Sequence, residues 1–195
     1  MEKQKNQLLA ENLRKPHGEF GEKVGEMMHK GNANFYLQLP ALLDLKGSEN
    51  VLEVGMGAGF HIKELCAQLK NGRYVGLDYS LTMVKLAEQV NQAVKNVSFV
   101  EADAQDMPFQ KESFDCLFTI NTVYFYKDPA LVFEEYYRVL RGGGKLIIGK
   151  RTVEDLIQMK AVTQHGFNYI TKDSIVNLLQ NQGFQQILSF FFLEP

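Results

Sequence analysis

The chain has 195 residues, of which 45% are hydrophobic and 23% charged, with a net charge of -2 at neutral pH. This length is typical of one domain with a substantial core. The slightly acidic composition gives no electrostatic reason to bind nucleic acid, so a nucleic-acid partner is not expected. No apolar run approaches the ~20 residues of a membrane span, and the N-terminus lacks an apolar signal-peptide core. We therefore expect a cytoplasmic protein.

The first 35 residues have an irregular pattern. Leu8, Leu9 and Leu13 have the spacing of a short amphipathic helix. Between residues 14 and 32 glycine is too frequent for a regular helix. We therefore predict an irregular or helical cap over residues 1–35, and a main domain over residues 36–195.

A glycine-rich turn follows the first apolar run of the main domain. Residues 51–59 read Val-Leu-Glu-Val-Gly-Met-Gly-Ala-Gly, and apolar residues then recur at nearly helical spacing over residues 60–69. This pattern predicts a strand, a tight turn and a helix. Glycines lack a Cβ atom, so a ligand can approach the backbone of such a turn closely.

Further strands and helices alternate along the chain. The sequence predicts strands at residues 73–78, 96–101, 114–120, 145–149 and 186–193, with a turn at 141–144. Ser80 is a predicted N-cap for a helix over residues 81–92, Asp128 and Pro129 begin another, and Thr171 or Asp173 begins a last helix that Gly183 ends. This alternation predicts an α/β fold with a Rossmann-like, doubly wound, mostly parallel sheet and helices on both faces.

Polar residues follow several predicted strands at the same edge. The glycine turn, Asp78, Asp103 and Asn121 each come after a strand. Ligands of open parallel sheets bind outside the carboxyl ends of the strands. We therefore predict a binding site at this edge.

The charge near the glycine turn bears on the kind of ligand. A nicotinamide dinucleotide fingerprint requires a glycine at position 60, where this chain has Phe60. Glu53 would also repel a pyrophosphate. A cationic cofactor without phosphate, such as S-adenosylmethionine, suits the carboxylate better. Cys66 and Cys116 lie outside any metal-binding pattern, so we expect them in the core and expect no metal.

With these residues the chain resembles a class I S-adenosylmethionine-dependent methyltransferase over residues 34–150. Residues 53–59 are similar to the loop that wraps the methionine end of the cofactor, and residues 75–78 to the motif whose acid holds the ribose hydroxyls. Residues 101–104 match the place of an acid near the adenine amino group. The resemblance implies a cofactor-binding set of Glu53, Gly55, Gly57, Gly59, Asp78, Tyr79, Met83, Asp103, Ala104 and Asn121. For Met83 a core position, and for Asp103 an ordinary turn, remain alternatives.

Residues 114–129 resemble the small-molecule members of the family. They contain no Asn-Pro-Pro-Tyr or Asp-Pro-Pro-Tyr element of the kind found in enzymes that methylate amino groups of nucleobases or protein amides. The resemblance thus implies methyl transfer to a small-molecule acceptor. Two alternatives stay open, a nicotinamide-dependent oxidoreductase and a non-catalytic cofactor-binding protein.

In many relatives an N-terminal segment covers the cofactor and forms part of the acceptor pocket. His17, His29 and Tyr36 are candidates for that wall, with ordinary surface positions as the alternative. Tyr124 and His29 are the candidate catalytic residues for orienting or deprotonating the acceptor.

The C-terminus departs from the family pattern, in which a sixth strand, a turn and an antiparallel seventh strand complete the sheet. Here residues 186–193 supply one long apolar strand. An open apolar edge favours association. We expect this strand to pair beside the fifth strand or at a homodimer contact, or the edge to be covered by residues 151–170.

Overall fold

A computed structural model describes residues 1–189. They form an N-terminal helical region followed by alternating strands and helices. The strands are β1 (Asn50–Val54), β2 (Arg73–Asp78), β3 (Val97–Glu101), β4 (Phe114–Ile120) and β5 (Leu140–Gly149). The helices are α1 (Glu2–Arg14), α2 (Gly18–Gly31), α3 (Ala33–Leu43), α4 (Ile62–Cys66), α5 (Leu81–Val90), α6 (Pro129–Val139), α7 (Val153–Gln158), α8 (Lys160–Thr163) and α9 (Lys172–Gln182).

The five described strands form one parallel sheet in the order β3-β2-β1-β4-β5. The chain runs outward from β1 through β2 to β3 and then returns to place β4 on the other side of β1. The strand order therefore reverses between β1 and β4, where ligands of such sheets bind. The predicted Rossmann-like fold is confirmed.

A hydrophobic core lies on each face of the sheet. One core contains side chains of α3, α4 and α5, including Leu43, Ile62 and Val84. The other contains side chains of α6 and α9, including Phe133 and Leu179. Helices thus cover both faces, which matches the nearly continuous apolar character of the central strands.

Three helix starts are fixed by the residues that the sequence indicates. The Ser80 hydroxyl accepts a hydrogen bond from the Met83 amide at 3.3 Å. The Asp128 carboxylate accepts one from the Ala130 amide at 3.0 Å. At α9 the cap is Thr171, not Asp173. Each cap satisfies amide groups that have no partner within the first helical turn.

The N-terminal region is more regular than the sequence predicts. Residues 18–31 form the helix α2, so the expectation that its glycines exclude a regular helix is wrong. The glycines permit close packing: a Cβ atom on Gly21 would lie 2.7 Å from the carbonyl carbon of Pro16, and one on Gly25 would lie 2.9 Å from the Met83 sulfur. Tertiary packing therefore outweighs helix propensity here. The predicted boundary between residues 35 and 36 falls inside α3.

Two further boundaries differ from prediction. The helix predicted over residues 60–69 is regular only in α4. The turn predicted at residues 141–144 is part of β5, and a register shift between Phe114 and Cys116 accommodates the additional residues opposite β4. The glycines of this stretch are thus compatible with an irregular strand.

The predicted C-terminal strand is absent from those of its residues that the structure describes. Residues 186–189 are not in a strand, and residues 190–193 lie outside the described part of the chain. Among the described strands, β5 has β4 as its one neighbour.

Both cysteines are free thiols in the core. Cys66 and Cys116 are both buried, and burial raises the pKa of the first to about 12 and of the second to about 11. Both thiols remain protonated near neutral pH and serve as core side chains. Within residues 1–189, no helix combines the length and apolar character needed to cross a bilayer.

Candidate functional site

A cavity of about 380 Å³ opens at the carboxyl ends of the central strands, between the sheet and the N-terminal helices. Residues from the glycine turn, from the ends of β2 and β4, and from α2 line it. The predicted residues that line the cavity are His29, Tyr36, Gly55, Gly57, Gly59, Asp78, Tyr79, Met83, Asp103, Ala104, Asn121 and Tyr124. The edge predicted from sequence is therefore where the cavity lies.

The glycine turn uses its three glycines differently. Gly55, Gly57 and Gly59 have φ values of 77°, 59° and 70°, which residues other than glycine rarely adopt. A Cβ atom on Gly55 would clash with Thr122, and one on Gly59 would lie 2.8 Å from Ile62 Cδ1. A Cβ atom on Gly57 would meet open space. The turn thus leaves room for a ligand at Gly57.

Asp78 lies at the end of β2 and is 7% exposed. Its Oδ2 accepts a hydrogen bond from the Gly57 amide at 2.9 Å, and its Oδ1 accepts one from the Ser80 amide at 2.8 Å. Burial raises the pKa of this carboxyl to about 6, against the lowering effect of the two amides. Each oxygen keeps a second lone pair, which can accept a hydroxyl donor from a ligand.

The residues expected near the adenine all border the cavity. Met83 is fully buried, and Ala104 is 9% exposed. Asp103 is exposed, and its Oδ1 accepts a hydrogen bond from the Gln105 amide at 3.0 Å. Tyr79 is 48% exposed, with the Lys15 ammonium 3.9 Å above the centre of its ring. A flat ring could therefore lie between apolar surfaces here.

Glu53 differs from the rest of the predicted set because it does not line the cavity. Its side chain is fully buried, and its Oε2 lies 2.7 Å from Nε2 of His61. Tyr74 donates its hydroxyl to the same oxygen. His61 does line the cavity and separates the carboxylate from it.

An aromatic stack from the N-terminal helices covers His61. The ring of Tyr36 lies parallel to that of His61, with centres 3.8 Å apart. His29 lies 5.5 Å from Tyr36 and 5.3 Å from Phe60. Burial, followed by the charge of His61, lowers the pKa of His29. His29 and Tyr36 thus form part of the wall as expected, whereas His17 does not line the cavity.

Tyr124 and Asn121 form one unit after β4. Asn121 adopts φ 56°, which its short polar side chain tolerates. Its Oδ1 accepts hydrogen bonds from the Tyr124 hydroxyl and from the Arg151 amide at 3.0 Å, and its Nδ2 donates to Asn32 Oδ1 at 2.7 Å. Asn121 therefore connects the sheet to the N-terminal helices. Burial raises the pKa of Tyr124, so its phenol stays protonated at neutral pH.

Most of the surface that lines the cavity is apolar. Tyr124 stacks on Phe167 with ring centres 5.7 Å apart, and Phe125 meets Phe167 edge to face at 4.7 Å. Other apolar residues that line the cavity include Leu13, Met27, Met28, Leu156 and Met159. Methionine side chains adapt to ligands of varied shape.

Two further hydrogen bonds attach the N-terminal helices near the cavity. The Ser80 hydroxyl donates to the carbonyl oxygen of Pro16. In addition, an Arg14 guanidinium nitrogen donates to the carbonyl oxygen of Gly166 at 3.0 Å. The junction between α1 and α2 is thus fixed to the turn that follows Asp78.

Several cavity residues were not anticipated from sequence. His61 comes two residues after Gly59, and its position directly behind the glycine turn is a signal that could have identified it. Asn32, Arg151 and Phe167 give no local signal, because only the tertiary fold brings them to the cavity. Among residues 1–189, no cluster of three or more His, Cys, Asp or Glu side chains could hold a metal ion.

Comparison with known proteins bears on the family. Residues 52–148 match the family described as "Methyltransferase domain". The chain is 26% identical over 149 residues to the malonyl-[acyl-carrier protein] O-methyltransferase of Marinomonas sp., covering 73% of this chain and 55% of that one. The chain matches eight curated relatives over 30% to 64% of the length of each relative.

Solved structures agree with this match. A candidate methyltransferase of Bacillus halodurans superposes with a TM-score of 0.69 at 25% identity, over 77% of this chain and 69% of that one. A candidate methyltransferase of Haloferax volcanii, solved in complex with a methyltransferase activator, gives a TM-score of 0.72 at 24% identity, over 85% and 73%. Through residues 52–148, the chain belongs to the class I S-adenosylmethionine-dependent methyltransferase family.

Proposed function

We propose that this protein transfers a methyl group from S-adenosylmethionine to a small-molecule acceptor with a largely apolar body. The observation that carries the proposal is one cavity that joins two kinds of wall. The glycine turn and Asp78 form part of its lining, and aromatic and methionine side chains form another part. A methyltransferase has to exclude water and align the acceptor with the methyl group, and such a cavity would serve both needs.

The cofactor would supply the activated methyl group. Asp78 would accept hydrogen bonds from the ribose hydroxyls, and Met83, Asp103 and Ala104 would surround the adenine. Tyr124 would orient the acceptor rather than deprotonate it, because burial keeps its phenol protonated. His29 is the proposed proton acceptor, since its lowered pKa keeps the imidazole neutral near pH 7.

The two rival functions are less well supported. A nicotinamide dinucleotide would bring a pyrophosphate toward the end of the cavity where Glu53 and Asp78 lie. A non-catalytic binding protein would need no second, apolar wall beside the cofactor, yet that wall is a large part of the cavity.

The test is an assay of methyl transfer across acceptor classes. The protein is incubated with S-adenosylmethionine and separate panels of apolar amines, phenols, thiols and carboxylic acids, and S-adenosylhomocysteine release is measured by mass spectrometry. We expect release with at least one panel and weaker turnover by Asp78→Ala. Calorimetry should give micromolar binding of S-adenosylmethionine or S-adenosylhomocysteine. Tight NAD binding, or methylation of nucleic acid or protein alone, would contradict the proposal.

A further inference from the structure

The acidic and the basic residues that line the cavity differ in their proposed roles. In the described part of the chain, the acids that line it are Asp78 and Asp103. The arginine and lysine residues that line it are Arg14, Lys127 and Arg151. Both acids belong to the proposed cofactor-binding set. The described residues therefore leave cations, and no carboxylate, for the part of the cavity that would take the acceptor.

Two of these cations lie beside an aromatic contact. The rings of Phe125 and Phe167 meet edge to face with centres 4.7 Å apart, and both line the cavity. Arg14 Nη2 donates to the carbonyl oxygen of Gly166, which directly precedes Phe167, at 3.0 Å. Lys127 comes two residues after Phe125. Each cation is thus close in the chain, or by a hydrogen bond, to one of the two rings.

Hydrogen bonds from Asn168 join the two segments that carry these rings. Its amide donates to the carbonyl oxygen of Tyr124 at 2.8 Å, and its Nδ2 donates to the carbonyl oxygen of Tyr126 at 2.5 Å. The segment after α8 is therefore fixed against the segment after β4. As a result, Arg14 and Lys127 border one apolar surface although 112 positions separate them in the sequence.

Backbone carbonyl groups, and not carboxylates, hold the Arg14 guanidinium. Nη2 also donates to the carbonyl oxygen of His165 at 3.4 Å, and a Cβ atom on Gly166 would clash with this nitrogen. Within residues 1–189, Nε and Nη1 of Arg14 have no hydrogen bond, and neither Arg14 nor Lys127 forms an ion pair. Both side chains are exposed. Their charges and donors are therefore available to an anionic ligand in the cavity.

We propose that the acceptor is an amphipathic anion. Its apolar body packs on Phe125 and Phe167, and a carboxylate or phosphate group binds Arg14 and Lys127. The proposal rests on the proposed function and deepens it, because it names the class of the acceptor. Guanidinium and ammonium groups both bind such oxygen anions, the guanidinium through several N–H donors. Arg14 and Lys127 then select the acceptor by its charge.

The test compares four octyl compounds by calorimetry, with the protein saturated by S-adenosylhomocysteine. Octanoate and octyl phosphate are anions, octan-1-ol is neutral and octylammonium is a cation. We expect the wild type to bind at least one anion more tightly than the other two compounds, and this preference to shrink as salt rises. Tighter binding of octanoate assigns a carboxylate, and tighter binding of octyl phosphate assigns a phosphate.

Arg14→Gln and Lys127→Gln each remove one charge. In either variant, affinity for the preferred anion should fall about two- to fivefold, the range for an exposed ion pair. Affinity for octan-1-ol and for S-adenosylhomocysteine should stay unchanged, which also shows that the variant is folded. Lys95→Gln is the matched control, because it removes the charge of an exposed lysine that does not line the cavity. It should bind every compound as the wild type does.

The inference is overturned if the wild type binds the octyl compounds equally or not at all, or prefers octylammonium. It is also overturned if both variants weaken every octyl compound to the same extent. If Arg14→Gln loses affinity for S-adenosylhomocysteine but not for the anions, Arg14 binds the cofactor and the inference is again wrong. If the wild type does not bind S-adenosylhomocysteine, the proposed function itself fails, and the two failures are thereby distinguished.

Discussion

Replacement of Asp78 by alanine tests the placement of the cofactor ribose. In the folded protein this replacement has two opposing effects on stability. Removing the carboxylate leaves the amides of Gly57 and Ser80 without their acceptor, at about 1–3 kcal/mol for each buried donor. It also removes a buried carboxyl group whose pKa is raised from 3.8 to about 6. This shift means that the ionised carboxylate costs the folded state about 3 kcal/mol.

Because these contributions are similar in size and opposite in sign, we expect Asp78→Ala to stay folded. Cofactor binding has no such compensation. Loss of the hydrogen bonds from the ribose hydroxyls to a charged acceptor should weaken binding by about 1–3 kcal/mol, a factor of about 5 to 150.

The assay is calorimetric titration with S-adenosylhomocysteine, together with a denaturant unfolding curve for each variant. Asp173→Ala is the matched control, since it removes an exposed carboxylate on α9. If Asp78→Ala binds within twofold of the wild type, the ribose does not contact this residue and the placement is wrong.

Three further predictions concern the same site, and a fourth concerns an edge of the sheet. Gly57→Val should bind S-adenosylhomocysteine more weakly but remain folded, whereas Gly59→Val should unfold more easily because its side chain has no space; similar unfolding curves for both would contradict this. Affinity should fall as pH drops below about 6, since protonated Asp78 loses acceptor capacity, whereas Asp78→Asn should show no such fall in titrations from pH 5 to 8. The linked stability change has the opposite sign, because the raised pKa means that the folded state binds more protons; the free energy of unfolding due to Asp78 should decrease as pH rises from about 4 to about 6. Tyr124→Phe should lower the free energy of unfolding by about 1 kcal/mol and leave cofactor affinity within twofold, because the phenol hydrogen-bonds to Asn121; a large loss of affinity would place the phenol on the cofactor. Finally, β5 is one of the two edges of the described sheet, and the expected homodimer should appear in light scattering as a mass that rises with concentration; a constant monomer mass would refute it.

The sheet could be predicted from sequence because its strands are buried on both faces. β2 and β4 have the bounds that the pattern predicts, since long apolar runs between turn residues leave few alternatives. The N-terminal helices could not be predicted as well. Gly21 and Gly25 lower the helix propensity of α2. Their lack of a Cβ atom allows α2 to pack closely against Pro16 and Met83, and the sequence does not reveal these contacts.

The candidate site could also be predicted only in part from the sequence. Residues that follow strands, such as Asp78 and Asn121, could be placed because parallel strands end at one edge. Asn32, Arg151 and Phe167 come from three separate segments, and only their packing brings them to the cavity. Glu53 was predicted as a cofactor-binding residue from its position in the motif. Its burial behind His61 could not be predicted, because it depends on side-chain geometry.

The attachment of the N-terminal helices beside Asp78 has a thermodynamic consequence. Pro16 and Lys15 contact Ser80 and Tyr79, which directly follow the proposed ribose acid. A ligand that orders this turn therefore favours docking of the helices, and docked helices favour the ligand by the same amount of free energy, since such coupling is reciprocal. Affinity for the cofactor would then depend in part on Lys15, which does not line the cavity, and a change at Lys15 would alter how tightly the adenosine end is held.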